Sequence, residues 1–128
     1  METTDSTEMK RILFVGLCCL DIVNVCDEYP KEDSDQRWVR GGNAANNCTV
    51  FSKLRQWFMN ENKYECPVFV EYFGTFGNDY SAEFLLNDFS KYKINVNKVD
   101  TKTETPCSSI IINKQNGSRT ILHSNKIC

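Results

Sequence analysis

The chain has 128 residues, 41% of them apolar, with 15 Lys and Arg against 17 Asp and Glu. That is the size and composition of one globular domain, and the near-neutral, interspersed charge offers no basic patch for nucleic acid and no pull toward an anionic membrane. No apolar run approaches the roughly 20 residues of a membrane span and the N-terminus lacks the pattern of a signal peptide, so a cytoplasmic protein is expected.

Residues 1–9 are polar and aperiodic and predict a disordered tail, with residues 10–128 forming the folded body. Ile12 to Leu17 is a continuous apolar run, β-branched and aromatic, which predicts a strand buried on both faces of a parallel sheet. From Asp21 to Arg40 the composition turns charged, with Pro30 and the acidic Glu32, Asp33 and Asp35, which predicts an exposed excursion able to cover a site. Gly41-Gly42 then opens into a helix whose face would be Ala44, Cys48, Phe51, Leu54 and Phe58, at the three-to-four spacing of an amphipathic helix. The polar stretch Asn60 to Glu65 ends that pattern, and Val68 to Phe73 predicts a second strand closing at Gly74. A second helix is expected over Ser81 to Tyr92, with Leu85, Phe89 and Tyr92 on one face and Asn78 or Asp79 as its N-cap. Ser108 to Asn113 and Arg119 to His123 flank Asn116-Gly117, a dipeptide suited to the positive φ of a hairpin turn. Strand, helix, strand, helix and then a hairpin predict a doubly wound α/β body with a small antiparallel β appendage.

Chemistry concentrates in the run Arg40-Gly41-Gly42-Asn43-Ala44-Ala45-Asn46. Glycine lets a ligand approach the backbone, and a helix N-terminus presents unpaired N–H groups and partial positive charge. Asn43 and Asn46, three apart, would share a helix face, and their amides both donate and accept, which suits hydroxyl groups. The competing reading of the pair is an N-cap and a solvated neighbour. Asp21, close after the first strand, is either a carboxylate for two adjacent hydroxyls or a turn residue capping local amides. Arg119, beside the hairpin turn, could reach a phosphate or simply be solvated. Gly74-Thr75-Phe76-Gly77 lacks a third glycine and reads as a loop; no Walker sequence occurs. The seven cysteines are odd in number and form no Cys-x-x-Cys pair, so they read as small buried apolar residues. The single histidine, His123, leaves little for a zinc site or a His-activated nucleophile, and no metal ligands are assigned.

Several segments together resemble the N-terminal part of the ribokinase-like carbohydrate kinases, the phosphofructokinase B family: Val15-Gly16-Leu17 through Asp21, Tyr29-Pro30-Lys31-Glu32-Asp33-Ser34, Gln36-Arg37-Trp38, Arg40 to Asn46, Ile111-Ile112-Asn113, and Asn116 to Leu122. The resemblance implies the N-terminal part of a ribokinase-like, Rossmann-like doubly wound sheet with a small antiparallel β lid, built from segments near 20–40 and 105–124. It implies that Asp21, Gly42, Asn43 and Asn46 bind the hydroxyls of a ketose sugar, that Arg119 lies near the nucleotide phosphates, and that MgATP is the co-substrate. It further implies a homodimer formed through the lid. Two departures stand out: the stretch between Ser34 and Gln36 is shorter than the family pattern, and Arg55 to Pro67 is longer. Family members run to roughly twice this length or more and carry Gly-Ala-Gly-Asp, whose aspartate is the base that takes the proton from the sugar. Glycines stand here only at 16, 41, 42, 74, 77 and 117. The expectation is therefore an incomplete kinase domain with no catalytic residue of its own.

Overall fold

The computed structural model describes residues 9–27, 35–62 and 67–124. The expected tail at 1–8, the segment Tyr29 to Ser34 with Glu32 and Asp33, and residues 63–66 lie outside the described residues. The elements in chain order are β1 (Lys10–Val15), β2 (Cys19–Cys26), β3 (Asp35–Gly41), α1 (Asn43–Asn62), β4 (Val68–Phe76), α2 (Tyr80–Lys91), β5 (Asn95–Asp100), β6 (Cys107–Asn113) and β7 (Arg119–Ser124). They make two sheets. One is parallel, in the order β1-β4-β5, and the other runs β3-β2-β6-β7 with both parallel and antiparallel pairs. Among the described residues no helix is long and apolar enough to cross a membrane.

In the parallel sheet β4 is central, and its alternate residues Val70, Tyr72 and Phe76 are buried. They meet Ala45 and Cys48 of α1 and Ala82, Leu85 and Phe89 of α2, so both helices cover the same face. The Tyr72 ring stacks on Phe89 at 4.6 Å, and its hydroxyl donates to the Gly16 carbonyl, a bond that joins the core to the end of β1. The other face is open. Leu13 (53% exposed) and Val15 of β1, Phe69 and Phe73 of β4, and Val99 of β5 stand on it. The predicted strand is therefore present, but its burial on both faces is not: Ile12 and Phe14 are half-buried, while Leu13 and Val15 have no helix above them. At the centre of this face Glu71 accepts a paired bond from Arg11, at 2.8 and 3.0 Å, and a further bond from Asn97. The guanidinium and the amides hold its carboxyl below the usual carboxylate range.

The charged stretch read as an exposed excursion, which the resemblance places in the β lid, is β2 and β3, paired antiparallel from Cys19↔Gly41 to Val25↔Asp35. Its polar composition hid two strands: β2 buries Cys19, Leu20, Val23 and Cys26 along its length, while β3 is exposed from Asp35 to Val39 and buried only at Arg40 and Gly41. The predicted hairpin is present as β6 and β7, with Gly117 at φ 70° and its N–H donating to the Asn113 carbonyl at 2.8 Å. Since β2 pairs parallel with β6, excursion and hairpin form one sheet.

Three further differences have simple causes. In α1 the predicted face holds for Ala44, Cys48 and Phe51, but Leu54 (59%) and Phe58 are exposed; the helix outruns the sheet, and its inner side is Ala45, Cys48 and Ser52. Ser52 is buried because its hydroxyl donates to the Tyr92 carbonyl at 3.1 Å, and the helix continues to Asn62, past the break expected at Asn60. Strand β4 runs through Gly74 to Phe76, for the Tyr72 ring fills the space a side chain at 74 would need. Strand β5 was not anticipated, because Asn-Val-Asn-Lys-Val-Asp offers only two apolar residues. Helix α2 agrees closely with expectation, with Asp79 as the N-cap accepting from Ala82 N at 2.8 Å.

One buried charge joins β3 of the mixed sheet to both helices. The Arg40 side chain, 3% exposed, donates from Nε to Asp88 of α2 at 2.8 Å, to the Ala45 carbonyl of α1 at 3.0 Å and to Thr49. Its guanidinium lies 4.0 Å from the centre of the Phe89 ring. Removing one partner of a buried, bonded pair strands the other charge, so Asp88→Ala should lower stability by about 3 kcal/mol. Adding Arg40→Met should recover part of that loss. Urea midpoints of the three chains check it, and a single variant as stable as the parent would contradict it.

Candidate functional site

The end of β1, the end of β3 and the start of α1 meet backbone to backbone. Gly42 has φ +99°, and a Cβ there would strike the Leu17 carbonyl oxygen, with the carbonyl carbon 2.8 Å away. At Gly16 a Cβ would come within 2.9 Å of the Ala44 Cβ. Both glycines are thus required by close approach as well as by φ.

The Asn46 N–H donates to the Gly42 carbonyl at 2.9 Å. Gly42 therefore occupies the N-cap position and Asn43 is the first residue of the helix, so Asn43 is not the cap that one reading proposed. The N–H groups of Asn43, Ala44 and Ala45 precede the first intrahelical donor; Ala45 is fully buried, so those of Asn43 and Ala44 are the ones a ligand could reach. Asn43 and Asn46 are exposed, and among the described residues neither side chain makes a hydrogen bond. The helix carries no acidic residue in its first turn to compete for the positive end.

Asp21 stands on β2, not in a loop at the end of β1, and it reaches the site through the pairing of β2 with β3. A Cβ on Gly41 would fall 2.6 Å from the Asp21 Cγ, so the carboxylate lies directly against the Gly41 backbone. The absence of a side chain at Gly41 is what makes room for it. The carboxylate is half-buried and accepts one long bond, from the Cys19 thiol at 3.5 Å, which leaves most of its acceptor capacity unused among the described residues. Asp21, Gly42 and Asn43 are thus brought to one place, with Asn46 one helical turn further on.

Arg119 is not part of that cluster. It begins β7, while the row Asp21, Ser108, His123 lies four residues along the strand, about 13 Å away at the usual rise. It is exposed, on the same face of the sheet as Asp21. Gly74 and Gly77 serve the fold: the Gly77 N–H donates to Thr105 Oγ1 at 3.1 Å, and Asp79 accepts from Thr105 N and Oγ1 at 2.8 Å each. Burial pushes the Asp79 carboxyl up, but the bonds from Thr105 and Ala82 outweigh it and hold it below the ordinary value. Two open depressions, of 440 and 630 Å³, flank the start of α2 and are lined by residues such as Asn78, Tyr80, Lys98 and Thr101, away from Asp21 and Asn43.

Of the five described cysteines, Cys18, Cys19, Cys26 and Cys48 are buried as expected, and Cys107 is half-buried. Burial pushes the Cys18 thiol up to about 12 against the opposing pull of Arg40, and burial together with the charge of Asp21 takes Cys19 to about 12. Both remain neutral thiols, unsuited to nucleophilic attack. Among the described residues no group of three His, Cys, Asp or Glu could hold a metal ion.

Sequence reasoning marked Gly41 as part of the double glycine but not as the position whose missing side chain seats Asp21, and it did not anticipate the burial of Arg40, whose partner Asp88 lies 48 residues away. It also passed over Ser108, which is buried and bonded to His123. The double glycine was a signal for the first; nothing local signals the other two.

Three comparisons bear on this geometry. The sequence matches the profile of the pfkB family carbohydrate kinases over residues 9–126. It is 43% identical to mouse ketohexokinase (Mus musculus) over 122 residues, which is 90% of this chain and 37% of that protein. The fold superposes on fructokinase from Xylella fastidiosa with a TM-score of 0.69 at 18% identity, covering 92% of this chain and 33% of that one. The same enzyme with bound ATP gives 0.66. Ribokinase from Giardia lamblia gives 0.68 at 16% identity, with 91% and 34% covered. The chain thus spans about a third of the length of each relative.

Gly42→Ala should cost about 1–3 kcal/mol from its φ alone, more from the clash with Leu17, and the thermal midpoint of the variant measures it. Asn43→Ala, at an exposed position, should leave that midpoint nearly unchanged.

Proposed function

Because the chain belongs to the pfkB family of carbohydrate kinases, we propose that it supplies the sugar-binding part of a ketohexokinase-like enzyme, one that phosphorylates fructose to fructose 1-phosphate with MgATP. The observation that carries this reading is the seating of Asp21 against Gly41, beside the unpaired N–H groups and free amides at the start of α1. The 43% identity to a ketohexokinase supports a ketose over other sugars.

In this reading the Asp21 carboxylate accepts hydrogen bonds from two neighbouring sugar hydroxyls, while Asn43 and Asn46 donate to and accept from others. Bonds to a charged group contribute about 1.5–3 kcal/mol each, enough to orient the ring. The backbone at Gly42 comes within reach of the sugar because nothing projects from it. Arg119, on the Asp21 face of the lid sheet, faces the nucleotide phosphates when the lid closes, and Mg²⁺ arrives with ATP as part of the substrate. Lid closure over the sugar excludes water from phosphoryl transfer. These residues position; they do not take the proton from the attacking hydroxyl. The 128 residues contain no Gly-Ala-Gly-Asp, and a missing general base typically costs 10²–10⁴ in rate, roughly. Residues 1–128 alone are accordingly nearly inert.

A lid-mediated homodimer is favoured by a specific observation. The Asp21 face of the lid sheet also carries Val39 and Ile121, both exposed, along with the half-buried Val25, Ile110 and Ile112. Clasping two such faces would cover them, and with or without catalysis the chain would then be a dimerising unit. Sedimentation at micromolar concentration tests this, a strictly monomeric chain counting against it.

Two measurements test the main reading. Fructose should bind the chain and Asp21→Ala should weaken it by about tenfold or more, with ribose and adenosine as comparison ligands; preference for either of those would move the substrate class. A coupled ADP-release assay on residues 1–128 should show turnover at least about a hundredfold below a complete homologue, and robust turnover would refute the assigned division of labour.

A further inference from the structure

The parallel sheet is finished on one side only. Its helix face has a closed core around Tyr72, Leu85 and Phe89, whereas Leu13, Val15, Phe69, Phe73 and Val99 stand bare on the other. Sheets whose strands all run parallel are almost always covered on both faces, so this one has the character of an interior. Its outer edge is unfinished as well. Strand β1 lies at the end of the order β1-β4-β5, and the N–H groups of Lys10 and Gly16 turn toward β4, donating to the Pro67 and Phe73 carbonyls. Backbone groups alternate along a parallel strand, so Arg11, Leu13 and Val15 turn their N–H and C=O away from β4, with no strand beside them among the described residues. The carboxylate at the centre of the face is already matched. Glu71, its side chain 10% exposed, accepts from two Arg11 nitrogens and from Asn97, so a covering layer would bury no unpaired carboxylate.

We propose that this face and edge are a docking surface for the remaining two thirds of a pfkB kinase domain, and that a separate polypeptide can supply them. The partner presents a strand that pairs with the outer edge of β1 and an apolar helix that lies over Val15 and Phe73. Coverage identifies it. The chain aligns over 90 and 92% of its own length, yet over only 37% of mouse ketohexokinase and 33% of the Xylella fructokinase, so most of each relative lies outside the part matched here. A second copy joined edge to edge through β1 would extend the sheet and leave both apolar faces bare. The surface is also formed in advance, because Tyr72 and Phe89 pack on the opposite face without it, and docking then orders little of this chain. The inference rests on family membership and on the open sheet, not on any role of Asp21.

The test produces tagged residues 1–128 in the same cells as an untagged second chain, the stretch of mouse ketohexokinase outside the matched part. The tagged chain should retain the second one to one. Hydrogen exchange in the complex should slow at the amides of Arg11, Leu13 and Val15 and stay as it was at Ile12 and Phe14, which β4 already holds. Val15→Glu and Phe73→Glu should weaken retention by at least about tenfold, since each would bury a charge, while Leu54→Glu, on the exposed side of α1, should not. Val15 is exposed on an edge strand, so its variant leaves a folded chain even if the Phe73 variant does not. The same two stretches joined in one chain serve as the control for folding of the second. If the joined chain shows the alternating protection and the separate pair does not, supply by a separate polypeptide is overturned; if neither shows it, the docking surface is overturned. Alternating protection in residues 1–128 alone would give the surface to a second copy and overturn the proposal too. A protected complex that does not phosphorylate fructose upholds the docking surface and counts against the sugar reading, so the two fail separately.

Discussion

The buried Arg40 guanidinium is the constraint on which the arrangement depends. A charge so nearly excluded from water is tolerable only when its donors are matched, and here they are matched by Asp88, the Ala45 carbonyl, Thr49 and the face of Phe89. Those partners belong to two helices, and Arg40 belongs to a strand of the lid sheet. One side chain therefore sets the place of α1, α2 and β3 relative to one another. Because Gly41 and Gly42 follow it directly, the same contact determines where the double-glycine backbone emerges at the start of α1.

Around that anchor the two sheets divide their roles. The parallel sheet is a platform: Tyr72 and Phe76 bury its helix face, and Tyr72 reaches across to the Gly16 carbonyl at the turn that leads into β2. The mixed sheet carries Asp21, brought beside Gly41 by the antiparallel pairing of β2 with β3. Thr105 and Asp79 tie the two together, linking the end of β4, the start of α2 and the approach to β6.

Much of this was legible from residue patterns, and the exceptions share a cause. Helix α2 was readable because Leu85 and Phe89 repeat at helical spacing and Asp79 sits where a cap belongs. The hairpin was readable because Asn116-Gly117 can adopt positive φ. Strands β2, β3 and β5 were not, since a strand that buries one face, or lies at an edge, can be as polar as a loop. The outer half of α1 misled in the opposite sense, with Leu54 and Phe58 apolar yet exposed. Periodicity shows that a residue is suited to burial; it does not show that anything lies above it.

The amino-acid sequence by itself determined that a double glycine opens a helix bearing two amides, that a carboxylate lies upstream of it, and that the whole resembles a carbohydrate kinase. Each of these is a local pattern, set by φ preferences, helix-end chemistry and motif spacing. Only the tertiary structure decided that Asp21 comes to rest against Gly41, that Arg40 is buried instead of solvated, and that Ser108 and His123 stand in line behind the carboxylate. Those facts depend on strand register and on partners tens of residues apart in the chain, and register is settled by the packing of whole faces, not by any residue's own preference.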